Sequence, residues 1–317
     1  MPTCRASFAV ENYDLAATLT SGQAFRWSPS GNAWEGVIGE HWVRLRQEAG
    51  QITAETATPG GDWLWLRHYL QLDIRLEQVL ATFPGDEPMR NAMAQCQGLR
   101  LLRQDPWECL ASFICSSSKQ IVQIQQMIAL LCRRYGSALP VLEGTQPTWS
   151  FPSAARLAGV SAIELRECKL GFRAPYLAET AAKIDAGELD LAQLAQLPLG
   201  QARDALVALP GVGPKIADCV LLFAYGFPGA FPLDVWVMRA LRRLYFPRRS
   251  AKIHRLRHFS QTHFGPHAGY AQQYLFHYMR TKANAPKPAK QKRPRPPRSG
   301  TIQTRQKCAS AHSGEAI

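Results

Sequence analysis

The sequence predicts an α+β fold in which antiparallel strands come first and helices follow. Residues 1 to about 75 contain short alternations of apolar and polar residues, such as 34–38 and 41–45, separated by glycine-rich turns. From about residue 76 the apolar residues recur at helical spacing instead, beginning with 76–80. The helical part is long enough for two packed lobes with a cleft between them.

Composition divides the chain into three parts. Residues 1–95 form the predicted β-rich domain, with its first helices from about 76, and residues 96–280 form the helical core. Residues 281–317 are basic and proline-rich, and nearly lack large apolar side chains. We expect this tail to be disordered, because it cannot bury enough surface to offset the entropy of ordering. It would strengthen non-specific binding to a polyanion or act as a nuclear address; a purely solubilising tail is the alternative.

The first well-marked helix of the core begins after Asp105. An aspartate followed by a proline is typical of an N-cap and a first helical turn. Trp107, Leu110 and Ile114 then follow at helical spacing. This pattern predicts a helix from Pro106.

A second helix follows a glycine turn. Residues 209–215 read Leu-Pro-Gly-Val-Gly-Pro-Lys, and Gly211 and Gly213 allow conformations in which successive amides point outward. From Ile216 the apolar spacing is helical until Gly226, where a left-handed cap is expected. A turn of outward-facing amides at a helix start suits an anion.

Lys215 lies in the first turn of that helix, with Cys219 one turn further on the same face. The positive end of the helix dipole and partial burial both disfavour the ammonium form, so free amine becomes more available for attack on an electrophilic carbon. The alternative is that Lys215 only contacts phosphate or solvent.

Asp234 directly precedes a third apolar-periodic segment, residues 235–241, and stands where an N-cap belongs. Capping alone would explain it. However, a capping carboxylate is also held rigidly, as an electrostatic or proton-accepting group must be.

At this point the chain resembles a known family, the helix-hairpin-helix DNA glycosylases of base-excision repair, and among them the 8-oxoguanine DNA glycosylase/lyases. The resemblance extends over most of residues 5–280. The stretches that carry it are 21–27, 101–106 running into 112–117, the hairpin with Lys215 and Asp234, and 269–272 followed by Phe276.

The resemblance implies a bifunctional enzyme that flips out and excises 8-oxoguanine, and formamidopyrimidines as well, from duplex DNA. Lys215 would attack C1′ of the damaged nucleotide and expel the base. Asp234 would favour the attacking amine and the positive charge that builds on the sugar. The resulting Schiff base would decay by elimination of the 3′ phosphate, which nicks the strand.

The resemblance also implies a base pocket. The backbone carbonyl of Gly22 would accept the hydrogen that oxidation places on the imidazole ring of guanine. Gln272 would read the Watson–Crick edge with its amide. Phe276 and Cys219 would hold the ring between them, one by stacking and the other as a polarisable thiol.

The implied DNA contacts lie on three loops. The hairpin would bind phosphate through its backbone, and the loops after residues 117 and 170 would fill the vacated stack and insert a wedge. The residues concerned are Gly211, Val212, Gly213, Ser118, Phe172 and Arg173.

Five residues, in three places of the chain, depart from the usual family pattern. Ser118, Lys119 and Gln120 replace asparagines that help to read the orphaned cytosine, Phe172 replaces a tyrosine, and Trp236 replaces a histidine.

Composition agrees with a nucleic-acid partner, which the resemblance specifies as double-stranded DNA containing oxidised guanine. The formal net charge is +13 and the pI is about 9.6, which favours a polyanion. The eight cysteines show no Cys-x-x-Cys pair, so neither zinc nor an iron–sulfur cluster is expected. The family suggests at most a monovalent cation at the hairpin. With no signal peptide and no long apolar run, we expect an intracellular, soluble monomer without a membrane partner, in the cytoplasm or nucleoid of a bacterium or the nucleus of a eukaryote.

Two other functions remain open from the sequence. A monofunctional alkylated-base glycosylase of the same fold would keep the aspartate and lack the lysine. A non-enzymatic DNA-binding module would use the hairpin only as a phosphate clamp.

Overall fold

The computed structural model describes residues 3–59, 61–248 and 251–284. Over these ranges an antiparallel sheet comes first and helices dominate afterwards, which confirms the predicted α+β class. The predicted tail, 281–317, lies outside the described residues beyond position 284.

The N-terminal sheet has five antiparallel strands in the order β1-β5-β4-β3-β2. The two predicted segments, 34–38 and 41–45, fall within β3 and β4, which pair with Val37 opposite Trp42. The alternation of apolar residues follows from one face of the sheet being buried. The strands are β1 (Cys4–Ala9), β2 (Ser28–Ser30), β3 (Ala33–Ile38), β4 (His41–Glu48), β5 (Gln51–Thr56) and a separate two-residue pair, β6 (Ala138–Leu139) and β7 (Thr148–Trp149).

Helices and the loops between them form the remainder of the described structure. The α-helices are α1 (Leu15–Thr20), α2 (Leu64–Leu70), α3 (Leu76–Leu80), α4 (Glu87–Gln95), α5 (Pro106–Cys115), α6 (Ile121–Tyr135), α7 (Ala154–Ala158), α8 (Ala162–Glu167), α9 (Ala174–Asp185), α10 (Leu199–Val207), α11 (Pro214–Val220), α12 (Val235–Leu244), α13 (Ile253–His263) and α14 (Ala268–Asn284). Two 3₁₀ turns cover Gly171–Arg173 and Leu191–Gln196, and a π-helical turn, Leu221–Tyr225, continues α11.

The predicted start of the helices at about residue 76 is wrong, because α1 and α2 precede it. Both are two turns or shorter, and so brief a segment shows no clear periodicity in the sequence. The helix predicted from Pro106 is confirmed as α5, and the Asp105 carboxylate caps it by accepting from the Glu108 amide at 2.8 Å.

Two hydrophobic clusters hold the described chain together. One packs the sheet against α1 and α2, with Val43, Leu45 and Leu66 at its centre. The larger one gathers the helices from α3 onwards. The domain boundary placed at residue 95 stays a prediction. Among the described residues, no helix combines the length and the apolar character needed to cross a bilayer.

A buried amide joins these two parts of the chain. The Gln23 side chain donates to the carbonyls of Thr18 at 2.9 Å and Arg100 at 2.8 Å, and accepts from the Leu102 amide at 2.8 Å. The carbonyl of Gln23 in turn accepts from the Gln104 side chain at 2.7 Å. Residues 21–27 are thereby fixed against residues 100–104. Because Gly22 directly precedes Gln23, these hydrogen bonds also determine the position of Gly22.

We expect Gln23→Leu to lower the free energy of unfolding by about 2–4 kcal/mol, because it leaves several buried backbone groups without partners. Denaturant unfolding measures this change. Gln78→Leu on the exposed face of α3 is the matched control and should have little effect. Equal stabilities of the two variants would show that the network contributes nothing.

Candidate active site

The glycine turn between α10 and α11 forms a hairpin that packs on α9. Gly211 has a φ of +73°, and a Cβ added there would lie 2.7 Å from the Tyr176 Cβ. Thr180 fixes the turn by donating to the Pro210 carbonyl at 3.1 Å. Only glycine therefore satisfies both the backbone conformation and the close approach of α9 at position 211.

The predicted outward amides of the hairpin are only partly observed. The Val212 amide donates to the Leu209 carbonyl at 3.2 Å, and the Val212 side chain is buried. The turn itself therefore uses the Val212 amide in this conformation, and the DNA contact expected of Val212 stays a prediction. Gly213 is the N-cap of α11, and a Cβ added there would meet nothing within 4 Å.

Lys215 is half-buried in the first turn of α11, as predicted. Its Nζ donates to the Ser116 hydroxyl at 3.3 Å and lies 5.2 Å from the centre of the Phe113 ring. The Ser116 hydroxyl itself donates to the Phe113 carbonyl at 2.7 Å. Within the described ranges, no carboxylate lies at salt-bridge distance from this amine. The amine is thus oriented by weak contacts that a reacting atom can replace.

Cys219 lies one turn further along the same helix and is buried. Burial raises the pKa of its thiol to about 12, and this outweighs the opposite effect of the Lys215 charge. The side chain is therefore a neutral, polarisable thiol beside the amine.

Asp234 is the N-cap of α12, as predicted. Its carboxylate accepts from the Val237 amide at 2.7 Å. Burial raises the pKa of Asp234, and the Val237 hydrogen bond and the charge of Lys215 offset part of that rise. The helix start holds the carboxylate rigidly, within electrostatic reach of Lys215 and Arg280.

The loop before β2 meets α14 at Gly22. This glycine has a φ of +80°, and a Cβ added there would lie 2.9 Å from Ile121 Cδ1, 3.1 Å from Arg280 Nη1 and 3.3 Å from Phe276 Cε1. The structure therefore brings Gly22 and Phe276 together, and any larger residue at position 22 would collide with the surrounding side chains. Ser21 fixes the loop, because its carbonyl accepts from Gln273 at 3.1 Å.

Gln272 is buried on α14, one turn before Phe276. Its Oε1 atom is inaccessible and has no hydrogen-bond partner in the described structure. A buried acceptor without a partner raises the free energy of the folded protein. Such an atom marks a position where a bound molecule with a hydrogen-bond donor would be stabilised.

Two further loops lie next to each other near Ser117. Phe172 is 58% exposed at the turn Gly171–Arg173, which is unusual for so large an apolar side chain. Arg173 is buried and donates to the carbonyls of Leu170 and Ser117. Arg173 therefore ties the two loops together in this conformation, and its DNA contact stays a prediction. Ser118 is exposed, with a φ of +55°.

Sequence reasoning missed three residues of this site: Ser116, Phe113 and Arg280. The first two lie within the stretch 112–117 already singled out, at the end of α5. The sequence signal that could have identified Arg280 is its position one helical turn beyond Phe276. No group of three or more His, Cys, Asp or Glu side chains in the described ranges is arranged to hold a metal ion; the prediction on cofactors stays a prediction.

Two family models match this chain over most of its length. The family model for "8-oxoguanine DNA glycosylase, N-terminal domain" matches residues 6–110, and that for "HhH-GPD superfamily base excision DNA repair protein" matches residues 111–262. The N-glycosylase/DNA lyase OGG1 of Arabidopsis thaliana is 34% identical over 279 residues, which are 83% of this chain and 76% of that protein.

Solved structures show the same similarity. The Clostridium acetobutylicum 8-oxoguanine glycosylase/lyase, bound to double-stranded DNA with cytosine opposite 8-oxoguanine, aligns with a TM-score of 0.82 and 30% identity over 86% of this chain and 94% of that one. MBOgg1 in complex with a low-affinity DNA ligand aligns with a TM-score of 0.83 and 31% identity, over 88% and 96% of the two chains.

The hairpin predicts a contrast between its two glycines. Gly211→Ala should lower the free energy of unfolding by about 1–3 kcal/mol, because it strains a left-handed backbone and collides with Tyr176. Gly213→Ala should change it by less than about 1 kcal/mol, since the added methyl meets only open space. Denaturant unfolding of both variants tests the pair, and equal losses would contradict the role assigned to Gly211.

Proposed function

The chain belongs to the 8-oxoguanine N-glycosylase/DNA lyase family of the helix-hairpin-helix superfamily, and we propose that Lys215 is the nucleophile of its reaction. It is a DNA glycosylase with AP lyase activity that acts on 8-oxoguanine. The residues that perform each step are inferred from the geometry of the site.

The surroundings of Lys215 support this role. The amine projects from a helix start behind a glycine hairpin, has no direct ion pair in the described structure, and lies within electrostatic reach of the rigidly held Asp234. A lysine locked in a salt bridge would have to break it before reacting. Lys215 has to leave only weaker partners, which are the Ser116 hydroxyl, the Cys219 thiol and the ring of Phe113.

The chemistry follows from this arrangement. The free amine of Lys215 attacks C1′, the C1′–N9 bond breaks, and its electron pair leaves with the purine. Asp234 stabilises the positive charge that builds on the sugar. Loss of a proton from the attached nitrogen and opening of the sugar give a Schiff base, which makes the 2′ proton acidic. Elimination then breaks the bond to the 3′ phosphate and nicks the strand.

Recognition of the base is assigned to the pocket between the Gly22 loop and α14. The Gly22 carbonyl accepts the hydrogen on N7 that only the oxidised base carries, and the unpartnered Gln272 Oε1 accepts from the Watson–Crick edge. Phe276 and the neutral thiol of Cys219 cover the two faces of the ring. A base without the N7 hydrogen would leave the Gly22 carbonyl unpaired, which is a large penalty in a desolvated site.

The flipped nucleotide leaves a gap in the duplex that the exposed Phe172 ring fills as a wedge. Ser118 lies on the adjoining loop and faces the orphaned base, and Arg173 keeps the two loops in register. The hairpin binds backbone phosphate, with a monovalent cation at its carbonyls. The enzyme works as a monomer on DNA, in the nucleoid or the nucleus according to its host.

Borohydride reduction tests the nucleophile. Wild-type protein should form a covalent adduct with a duplex containing 8-oxoguanine opposite cytosine, and Lys215→Gln should form none, because it lacks the amine that makes the Schiff base. Lys183→Gln is the matched control, since it removes an amine that forms only a surface ion pair with Glu188.

Each other outcome of this experiment has a distinct meaning. Base release without any adduct would indicate a monofunctional glycosylase. Binding without base release would indicate a DNA-binding module. An adduct that persists in Lys215→Gln would show that another amine is the nucleophile.

Asp234→Asn should lower the single-turnover excision rate by about 10²-fold, because it removes the charge that stabilises the transition state. Asparagine still caps the helix, so DNA binding should persist. As burial raises the pKa of Asp234, the carboxylate is protonated at a higher pH than an exposed aspartate, whose pKa is 3.8. The acid limb of the pH–rate profile should therefore lie above that value and disappear in the variant.

The same raised pKa means that the ionised carboxylate is disfavoured in the folded protein. Asp234→Asn should consequently melt at the same temperature as wild type or slightly higher at neutral pH. A lower melting temperature, together with lost DNA binding, would show that the carboxylate is chiefly structural.

A further inference from the structure

Arg280 lies on the wall of the base pocket, on α14 one turn beyond Phe276. Its guanidinium carbon is 5.4 Å from the centre of the Phe276 ring, and its Nη1 is 3.1 Å from the position that a Cβ would occupy at Gly22. The side chain therefore borders both elements to which base recognition is assigned above. Nothing in that assignment uses its positive charge.

The donors of this guanidinium are largely unused. Its one hydrogen bond to the described part of the chain, from Nη1 to the Thr20 carbonyl, is 3.4 Å long and therefore weak. No carboxylate in the described ranges lies within salt-bridge distance of it. Burial lowers the pKa of Arg280, and the charge of Asp234 opposes this change. A partly desolvated cation with free donors is stabilised when a ligand supplies oxygen acceptors.

Two cationic side chains and one carboxylate lie close together in the site. Lys215, the proposed nucleophile, projects from α11. Arg280 projects from α14 beside the Gly22 loop, and Asp234 interacts with both cations. A fixed cation beside the sugar would oppose the positive charge that develops there. A fixed cation beside the base would instead stabilise the negative charge that the purine acquires as it leaves.

We propose that Arg280 contacts the flipped purine, donating a hydrogen bond to one of its carbonyl oxygens and stabilising the departing base. This inference rests on the proposed function of the site. As the bond from Lys215 Nζ to C1′ forms and the C1′–N9 bond breaks, the electron pair passes into the purine and spreads onto its oxygens. Arg280 keeps its protons throughout; the proton that the attacking amine releases neutralises the base.

Such a contact is stronger in the transition state than in the ground state, because the charge on the oxygen grows as the bond breaks. Phe276 holds the guanidinium through a cation–π contact, so that its donors are positioned before the nucleotide enters. Arg280 would therefore act mainly on the rate of base excision and little on the affinity for DNA.

Two substrates separate this role from a phosphate contact. Duplexes with 8-oxoguanine opposite cytosine report base excision, measured under single turnover after alkaline cleavage of the abasic product. Duplexes with a preformed abasic site report strand cleavage without a base. Both are compared in wild type, Arg280→Met, Arg280→Lys and the control Arg46→Met, which removes one positive charge from an exposed position on β4.

We expect Arg280→Met to lower the excision rate by about 10²-fold, as for loss of one charged donor at a developing charge. Cleavage and binding of the abasic duplex should be little changed, because that substrate has no base to contact. Arg280→Lys keeps the charge and should recover part of the excision rate. Arg46→Met should match wild type on both substrates.

Equal losses on the two duplexes, with weaker binding, would place Arg280 on a phosphate and overturn the proposal. Unchanged excision in Arg280→Met would also overturn it. If Arg280→Met does not fold, Arg280→Lys decides: a loss confined to excision supports the base contact, and equal losses contradict it. Absence of excision by wild type would instead refute the proposed function of the whole site.

Discussion

The amine of Lys215 lies near a carboxylate without being bound to it, and the proposed function of the site depends on this separation. A direct ion pair would hold the amine protonated and turned away from a substrate. The structure avoids one by giving each group a partner of its own. Asp234 accepts from the Val237 amide at the start of α12, and Lys215 contacts the Ser116 hydroxyl and the ring of Phe113.

The site carries several groups that are unfavourable in the protein alone. The Asp234 carboxylate is desolvated, Gln272 Oε1 has no partner in the described structure, and Arg280 has one weak hydrogen bond. Each of these raises the free energy of the folded state, and each is relieved by a ligand that carries complementary charge or donors. Buried hydrogen bonds nearby, above all those of the Gln23 amide, hold the loops in place when no substrate is bound.

The parts of the site that the sequence predicts well are local in character. The helix after Gly213 and the N-cap at Asp234 each depend on a few adjacent residues, and both are confirmed. The bond from Arg173 to the Ser117 carbonyl depends on how distant segments pack, which no local pattern reports. Arg280 is the clearest example of a residue that the sequence does not reveal. Its position in the site is defined by contact with the Gly22 loop, which lies near the other end of the described chain.

The central claim is that one particular amine becomes bonded to deoxyribose. The most direct test is to reduce the reaction of full-length protein with a duplex containing 8-oxoguanine, digest the protein and the DNA, and locate the sugar remnant by mass spectrometry. The account predicts that the remnant is on Lys215. Attachment to any other lysine or to the N-terminal amine, or the absence of a remnant despite complete base release, would contradict it.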